Sequence, residues 1–280
     1  MSPGGDARPI GIFDSGIGGL SVWREIAAQL PDEPCIYLAD QAKVPYGPRP
    51  AAEILALALR VVDWLRARDC KLIVVACNSA SAAALQHLRR AHPDLPFVGM
   101  EPAIKPAAAM SRRRIAGVLA TPATLAGELY RSTVARHARD MRIIAEGCPG
   151  LVDAIEACAD DAALRAQLDG FLAPARKAGA DVMVMACTHY PLVQHLIAPL
   201  CGTQMQLIDP APAVARQTAR LLDAHALRAP AGHPTNARFF TTGTETGRMA
   251  RAARHWLGRE FEVGVALLPE AALSSAQSAR

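Results

Sequence analysis

The chain has 280 residues, 51% of them hydrophobic, which is enough apolar material for one large core or two medium ones. Its formal net charge of +4 is a modest basic excess spread over many arginines, too weak to indicate a nucleic-acid partner. Neither the polar opening residues nor any later run is long and apolar enough for a leader or a membrane span, so a cytoplasmic protein without membrane contact is expected.

Residues 1–8 and 269–280 read as flexible tails. Between them, Ile10 to Phe13 predicts a short buried strand, and Gly16-Ile17-Gly18-Gly19 a turn into an amphipathic helix ending near Leu30. A strand at 35–39, a turn at Pro45-Tyr46-Gly47-Pro48 and a long helix with Ile54, Leu57, Ala58, Val61, Val62 and Leu65 on one face follow. A strand at 72–76, a helix to about Ala91 and a strand at 96–100 lead to Glu101-Pro102-Ala103-Ile104-Lys105-Pro106, where two prolines mark a crossing between units. The second unit reads as a strand at 115–120, one helix carrying Leu125 and Leu129, a strand at 141–145 and helices between Pro149 and Ala178. It continues with a strand at 182–186, a helix from about Tyr190 and a close at Leu207-Ile208-Asp209-Pro210. A helix near 212–225, a strand at 238–242, a helix reaching Leu257 and a strand at 262–267 are expected to return to the first sheet.

The two units look like copies. Leu72-Ile73-Val74-Val75-Ala76-Cys77-Asn78-Ser79 recurs as Val182-Met183-Val184-Met185-Ala186-Cys187-Thr188-His189, 110 residues later, and the strand ending at Asp14 recurs 107 residues later as the strand ending at Thr121. The expected fold is therefore α/β, with two pseudo-symmetric parallel-sheet domains and the active site in the cleft between them. Residues 9–101 with 210–268 form the first domain and 102–209 the second. Ligands of open α/β sheets sit at the carboxyl ends of the strands, and that edge carries one cysteine in each half.

Seven cysteines, none in C-x-x-C spacing, are expected to be free thiols. A strand-end cysteine followed by a helix lies near backbone N–H groups and the positive end of the helix dipole, both of which favour thiolate. His189, two residues after Cys187, is the usual type of proton partner for a thiol, and Asp14 is a carboxylate at the same sheet edge as Cys77. Ser15, Asn78, Ser79, Thr121 and Thr188 stand at strand-to-helix junctions, where they either cap helices or, clustered about a cleft, bind a carboxylate.

Three other readings of these residues stay open. Gly16-x-Gly18-x-x-Ser21 followed by Asp40 is a weak dinucleotide-binding pattern that lacks the third glycine. Cys77, Cys187, His189 and Asp14 are zinc-ligand types, although Cys-x-His is an uncommon spacing. A two-lobed binding module would share the architecture without the chemistry.

The strings FDSGIGGLSV (13–22), VPYGPRP (44–50), VACNSAS (75–81), EPAIKPA (101–107) and ACTHYPL (186–192), in this order across about residues 10–268, resemble the cofactor-independent aspartate/glutamate racemase superfamily and, within it, the glutamate racemases. The resemblance implies an isomerase that interconverts L- and D-glutamate by two-cysteine proton transfer at Cα and supplies D-glutamate for peptidoglycan synthesis. It also implies that neither pyridoxal phosphate nor metal is required. Cys77 and Cys187 would be the acid/base pair and Asp14 and His189 their support; Asp14, Ser15, Tyr46, Gly47, Asn78, Ser79, Thr188 and His189 would contact substrate, and Glu156 would hold the histidine. The partner is then a small molecule, glutamate, and a homodimer is compatible with the sequence. An aspartate racemase or another amino-acid racemase of the superfamily is the alternative. Two positions depart from the family pattern: Ser79 stands for the usual threonine, and Asp209-Pro210-Ala211 for the commoner Asp-Ser-Gly.

Overall fold

The structure, a computed structural model, describes residues 5–269. The first half runs β1 (Ile10–Asp14), α1 (Leu20–Gln29), β2 (Cys35–Ala39), α2 (Ala51–Arg66), β3 (Leu72–Val75), α3 (Asn78–Ala91) and β4 (Phe97–Gly99). The second runs α4 (Ile104–Met110), β5 (Ile115–Ala120), α5 (Pro122–Ala126), α6 (Glu128–His137), β6 (Arg142–Gly147), α7 (Leu151–Glu156), α8 (Asp161–Lys177), β7 (Val182–Ala186), a 3₁₀ turn (Tyr190–Val193), α9 (Gln194–Cys201) and β8 (Gln206–Ile208). The chain then returns through α10 (Ala211–Ala224), β9 (Ala237–Thr241), α11 (Thr246–Leu257) and β10 (Val263–Val265).

Both sheets are parallel. Their orders, β10-β9-β2-β1-β3-β4 and β6-β5-β7-β8, contain the same arrangement, since β2-β1-β3-β4 maps onto β6-β5-β7-β8 strand for strand. β3 and β7 are thus equivalent, as are β1 and β5, which is what the sequence repeat implies. The returning strands β9 and β10 extend the first sheet beyond β2. β1, β2, β3 and β7 are buried along their whole length, as expected of parallel strands covered by helices on both faces. One apolar cluster includes Ile10 and Trp23 of the first half together with Met185 and Leu196 of the second, so the halves share a core.

Local structure departs from the sequence reading in four places. A helix, α4, occupies the proline-marked crossing; Pro106 sits in its first turn, where a missing N–H breaks no helical bond. The single helix expected around Leu125 and Leu129 is two, because Gly127 turns extended between them (φ −72°, ψ 143°). Tyr190 opens a short 3₁₀ turn rather than an α-helix. Residues 5–8, expected as part of a loose tail, are docked: Asp6 N–H donates to Arg228 O, Lys71 Nζ donates to Asp6 O, and Lys71 makes a buried ion pair with Glu33 at 2.6 Å. The rest of the two expected tails, residues 1–4 and 270–280, lies outside the described residues. At the second crossing Asp209 Oδ1 accepts from Ala211 N–H at 2.8 Å and opens α10, the local role of a turn residue.

Candidate active site

Cys77 follows β3 after Ala76 and stands at the N-cap of α3, and Cys187 stands in the equivalent place at the end of β7. Both are buried, and both line one tightly closed cavity of about 10 Å³ together with Ser15, Pro45, Tyr46, Gly47, Asn78, Ser79, Thr121, Val152, Thr188 and His189. All the sequence-predicted residues except Asp14 and Glu156 line it. Asp14 lies just behind, fully buried at the end of β1.

On the Cys77 side, Sγ is 3.9 Å from Ser15 Oγ. Ser15 donates its hydroxyl to Asp14 Oδ1 at 2.9 Å, and Thr188, from the other half, donates to Asp14 Oδ2 at 2.7 Å. Burial pushes the Asp14 carboxyl up, opposed by His189 and by these donors. Burial also pushes the Cys77 thiol well above the ordinary thiol range, and the Asp14 charge adds to it, so this sulfur is held as a thiol. Ser79 and Thr121 share a hydroxyl–hydroxyl bond at 2.9 Å across the cleft. Asn78 is buried, yet neither its Oδ1 nor its Nδ2 has a partner among the described residues. An unmet buried amide costs about 1–3 kcal/mol, so its two dipoles are a built-in donor and acceptor for whatever enters the cavity.

The Cys187 side differs. Sγ lies 3.9 Å from His189 Nδ1, and His189 Nε2 lies 2.8 Å from Glu156 Oε1. Burial works against a charged imidazole, but the Cys187 and Glu156 contacts outweigh it and raise His189 well above its ordinary value. Burial likewise works against a charged Glu156, and the His189, Ile17 and Gln41 bonds bring it below its ordinary value. Both shifts favour the imidazolium–carboxylate form of the pair, which puts a cation beside Cys187.

The glycine turn after β1 serves this pairing. A Cβ on Gly16 would run into Glu156 Oε1, and one on Gly18 into the His189 ring and Thr188 Oγ1. These glycines let the second half's polar side chains press against the first half's backbone, so they do not form a phosphate cradle. Asp40, the acid of the dinucleotide reading, is buried and takes the Tyr46 hydroxyl on Oδ2 at 2.6 Å and the Thr242 hydroxyl on Oδ1 at 2.7 Å. Tyr46 consequently spends its hydroxyl proton on Asp40 and gives the cavity its ring and the adjoining Gly47 backbone. His189 has both ring nitrogens engaged, which leaves none for a metal without breaking the pair.

Sequence reading did not find Gln41 and Arg248, which lie at the outer oxygen of Glu156, or Thr241, which holds Gln41. Gln41 donates to Glu156 Oε2 at 2.9 Å, Thr241 donates to Gln41 Oε1 at 3.1 Å, and Arg248 lies 3.8 Å from Glu156 Oε2. Nothing local in the sequence marks them, because their bonds form only through packing of distant elements.

The family profile described as Asp/Glu/hydantoin racemase matches residues 10–218. The glutamate racemase of Roseiflexus sp. (strain RS-1) is 50% identical over 222 residues, covering 79% of this chain and 82% of that protein. Among solved structures, the glutamate racemase isoform RacE1 of Bacillus anthracis superposes with a TM-score of 0.85 at 32% identity, covering 93% of this chain and 98% of that one. The glutamate racemase of Francisella tularensis subsp. tularensis SCHU S4, solved with D-glutamate, gives a TM-score of 0.81 at 26% identity over 94% and 98% of the two chains. A profile match over most of the chain, a half-identical relative and a shared two-sheet architecture all give the same assignment: the chain belongs to the Asp/Glu/hydantoin racemase family, among its glutamate racemases.

Proposed function

We propose that the chain interconverts L- and D-glutamate by direct proton transfer at Cα, with Cys77 and Cys187 as the two acid/base groups on opposite faces of the substrate. The observation that carries this is the placing of two thiols at equivalent strand ends, β3 and β7, on one small cavity. In one direction the Cys187 thiolate takes the Cα proton and the Cys77 thiol delivers one to the other face; in the reverse direction the roles exchange. Negative charge that develops on the substrate carboxylate is met by the hydroxyl and amide groups at the strand ends, Ser15, Asn78, Ser79, Thr121 and Thr188. Asp14 provides the anion for the substrate ammonium, and the Tyr46–Gly47 turn borders the room for the distal carboxylate. The His189 cation, backed by Glu156, supports negative charge on the Cys187 sulfur.

No pyridoxal phosphate or metal enters this scheme. We take residues 9–101 with 210–268 and residues 102–209 as the two bodies that close on the substrate and dry the thiols. No helix among the described residues is long and apolar enough to cross a membrane. A cytoplasmic supply of D-glutamate for peptidoglycan synthesis is the biological role that fits.

Circular dichroism of either pure glutamate enantiomer, incubated with the protein and excess chelator, should decay to zero at the same rate as without chelator. The kcat/KM for glutamate should exceed that for aspartate by about 10- to 200-fold, the worth of one methylene. Loss of activity in chelator that zinc restores would overturn the metal-free scheme, and equal activity on aspartate would overturn the substrate.

A further inference from the structure

Glu156 is buried, and its two oxygens face different partners. Oε1 accepts from Ile17 N–H at 2.7 Å and meets His189; Oε2 accepts from Gln41 Nε2 at 2.9 Å. Gln41 is itself fixed, because Thr241 donates its hydroxyl to Gln41 Oε1 at 3.1 Å while Thr241 Oγ1 accepts from Gly243 N–H at 3.2 Å. That backbone donor leaves the hydroxyl proton for the amide oxygen, which turns the NH₂ group toward the carboxylate. Both Gln41 and Thr241 are buried.

Ile17 follows β1, Gln41 follows β2 and Thr241 ends β9, so all three belong to the half built on the six-stranded sheet. Glu156 and His189 belong to the four-stranded half. The carboxylate that holds His189 therefore takes its own backbone and amide donors from across the cleft. A buried carboxylate stays charged only while hydrogen-bond donors meet it.

We infer that Gln41, oriented by Thr241, is a positioning residue for racemisation: it holds Glu156 so that the Glu156–His189 pair stands charged beside Cys187 when the two halves are in contact. The inference rests on the reading of Cys187 as one of the two acid/base thiols. It makes the hydrogen-bonded series Thr241–Gln41–Glu156–His189–Cys187 a sensor of cleft closure, since separating the halves removes Gln41 and Ile17 from Glu156 together.

The other charged and titratable groups facing the pair are Asp14 at the end of β1, Tyr37 on β2, Cys158 after α7, Arg248, Arg251 and His255 on α11, and Cys187 itself. Of these, Arg248 is the cation nearest Glu156 Oε2, but at 3.8 Å and 40% exposed it makes no hydrogen bond that would replace the Gln41 amide. Without that amide, one of the donors that hold Glu156 below its ordinary value is gone. Glu156 then takes up a proton more readily, and the charged pair is lost at a higher pH as the solution is acidified.

The test is the pH profile of kcat/KM on glutamate. In Gln41→Leu the acid limb should move about one unit to higher pH and kcat/KM at neutral pH should fall about tenfold, the worth of one hydrogen bond to a charged group. Thr241→Val should move the limb the same way by less, and Thr241→Ser should restore it. A folded Gln41→Leu protein with an unmoved limb, alongside an inactive Cys187→Ala protein, overturns the inference and leaves the two-thiol reading standing. Racemisation by Cys187→Ala overturns that reading instead. Should Gln41→Leu fail to fold, equal limbs in Thr241→Val and Thr241→Ser overturn the inference, and separate limbs support it.

Discussion

Cys77→Ala and Cys187→Ala should each lower kcat/KM for glutamate racemisation by about a thousandfold or more, because a positioned acid or base typically contributes 10²- to 10⁴-fold. Enantiomers have equal free energy, so each variant must lose kcat/KM by the same factor in both directions, which serves as a check on the assay. Hydrogen exchange separates the two thiols. In D₂O, early product from the unaltered protein should carry deuterium at Cα while recovered substrate stays protiated, from either enantiomer. In each single variant the surviving thiol still faces one side of Cα, so one enantiomer should exchange its proton without inverting, and the two variants should pick opposite enantiomers. Near-normal racemisation by either variant, or exchange of both enantiomers by both, would sink the two-base assignment. The sites themselves differ, and this bears on rates: Cys77 is kept protonated by burial and Asp14, whereas Cys187 has the His189 cation beside it. The two directions should thus differ in kcat and KM separately while sharing one kcat/KM.

How much of this was legible in the sequence follows from the range of each interaction. Strand-end cysteines are local signals: an apolar run of β-branched residues in Leu72–Val75 and an apolar run in Val182–Ala186 each lead into a cysteine and then polar helix-opening residues, so period and turn chemistry locate them together. The repeat then carries them to one edge, since two copies of a β2-β1-β3-β4 sheet present their third strands alike. α4 was hidden because prolines at 102 and 106 read as a loop, although a proline in a first helical turn is harmless. The docked residues 5–8 were hidden because their partners, Arg228, Asp69 and Lys71, lie far along the chain. The same applies to Gln41, whose bonds to Glu156 and Thr241 span 115 and 200 residues. The glycine run was visible, but its purpose was not. A turn after β1 accounts for glycine there in any parallel sheet, and only the packed halves reveal what presses against it.

Gly18→Ala should disable the enzyme without unfolding it. Gly18 does not have a positive φ, so its backbone accepts alanine without torsional strain. The obstacle is space: an added methyl would lie 2.7 Å from His189 Cε1 and 2.7 Å from Thr188 Oγ1, closer than real Cβ atoms come to such neighbours. His189 cannot give way without leaving Cys187 or Glu156, nor Thr188 without leaving Asp14. A misplacement of about 1 Å at a reacting centre costs roughly a hundredfold, and we expect at least that loss in kcat/KM. Overpacking costs about 1–3 kcal/mol, a few degrees in Tm for a chain of this size, so the variant should stay folded in a thermal melt. Gly170→Ala is the matched control: Gly170 lies inside α8, a methyl there meets nothing within 4 Å, and alanine should add about 0.5–1 kcal/mol of stability with activity unchanged. A folded Gly18→Ala protein with near-normal kcat/KM would mean that the close approach of His189 to the glycine turn has no part in catalysis, and the cation beside Cys187 would then need another source of support.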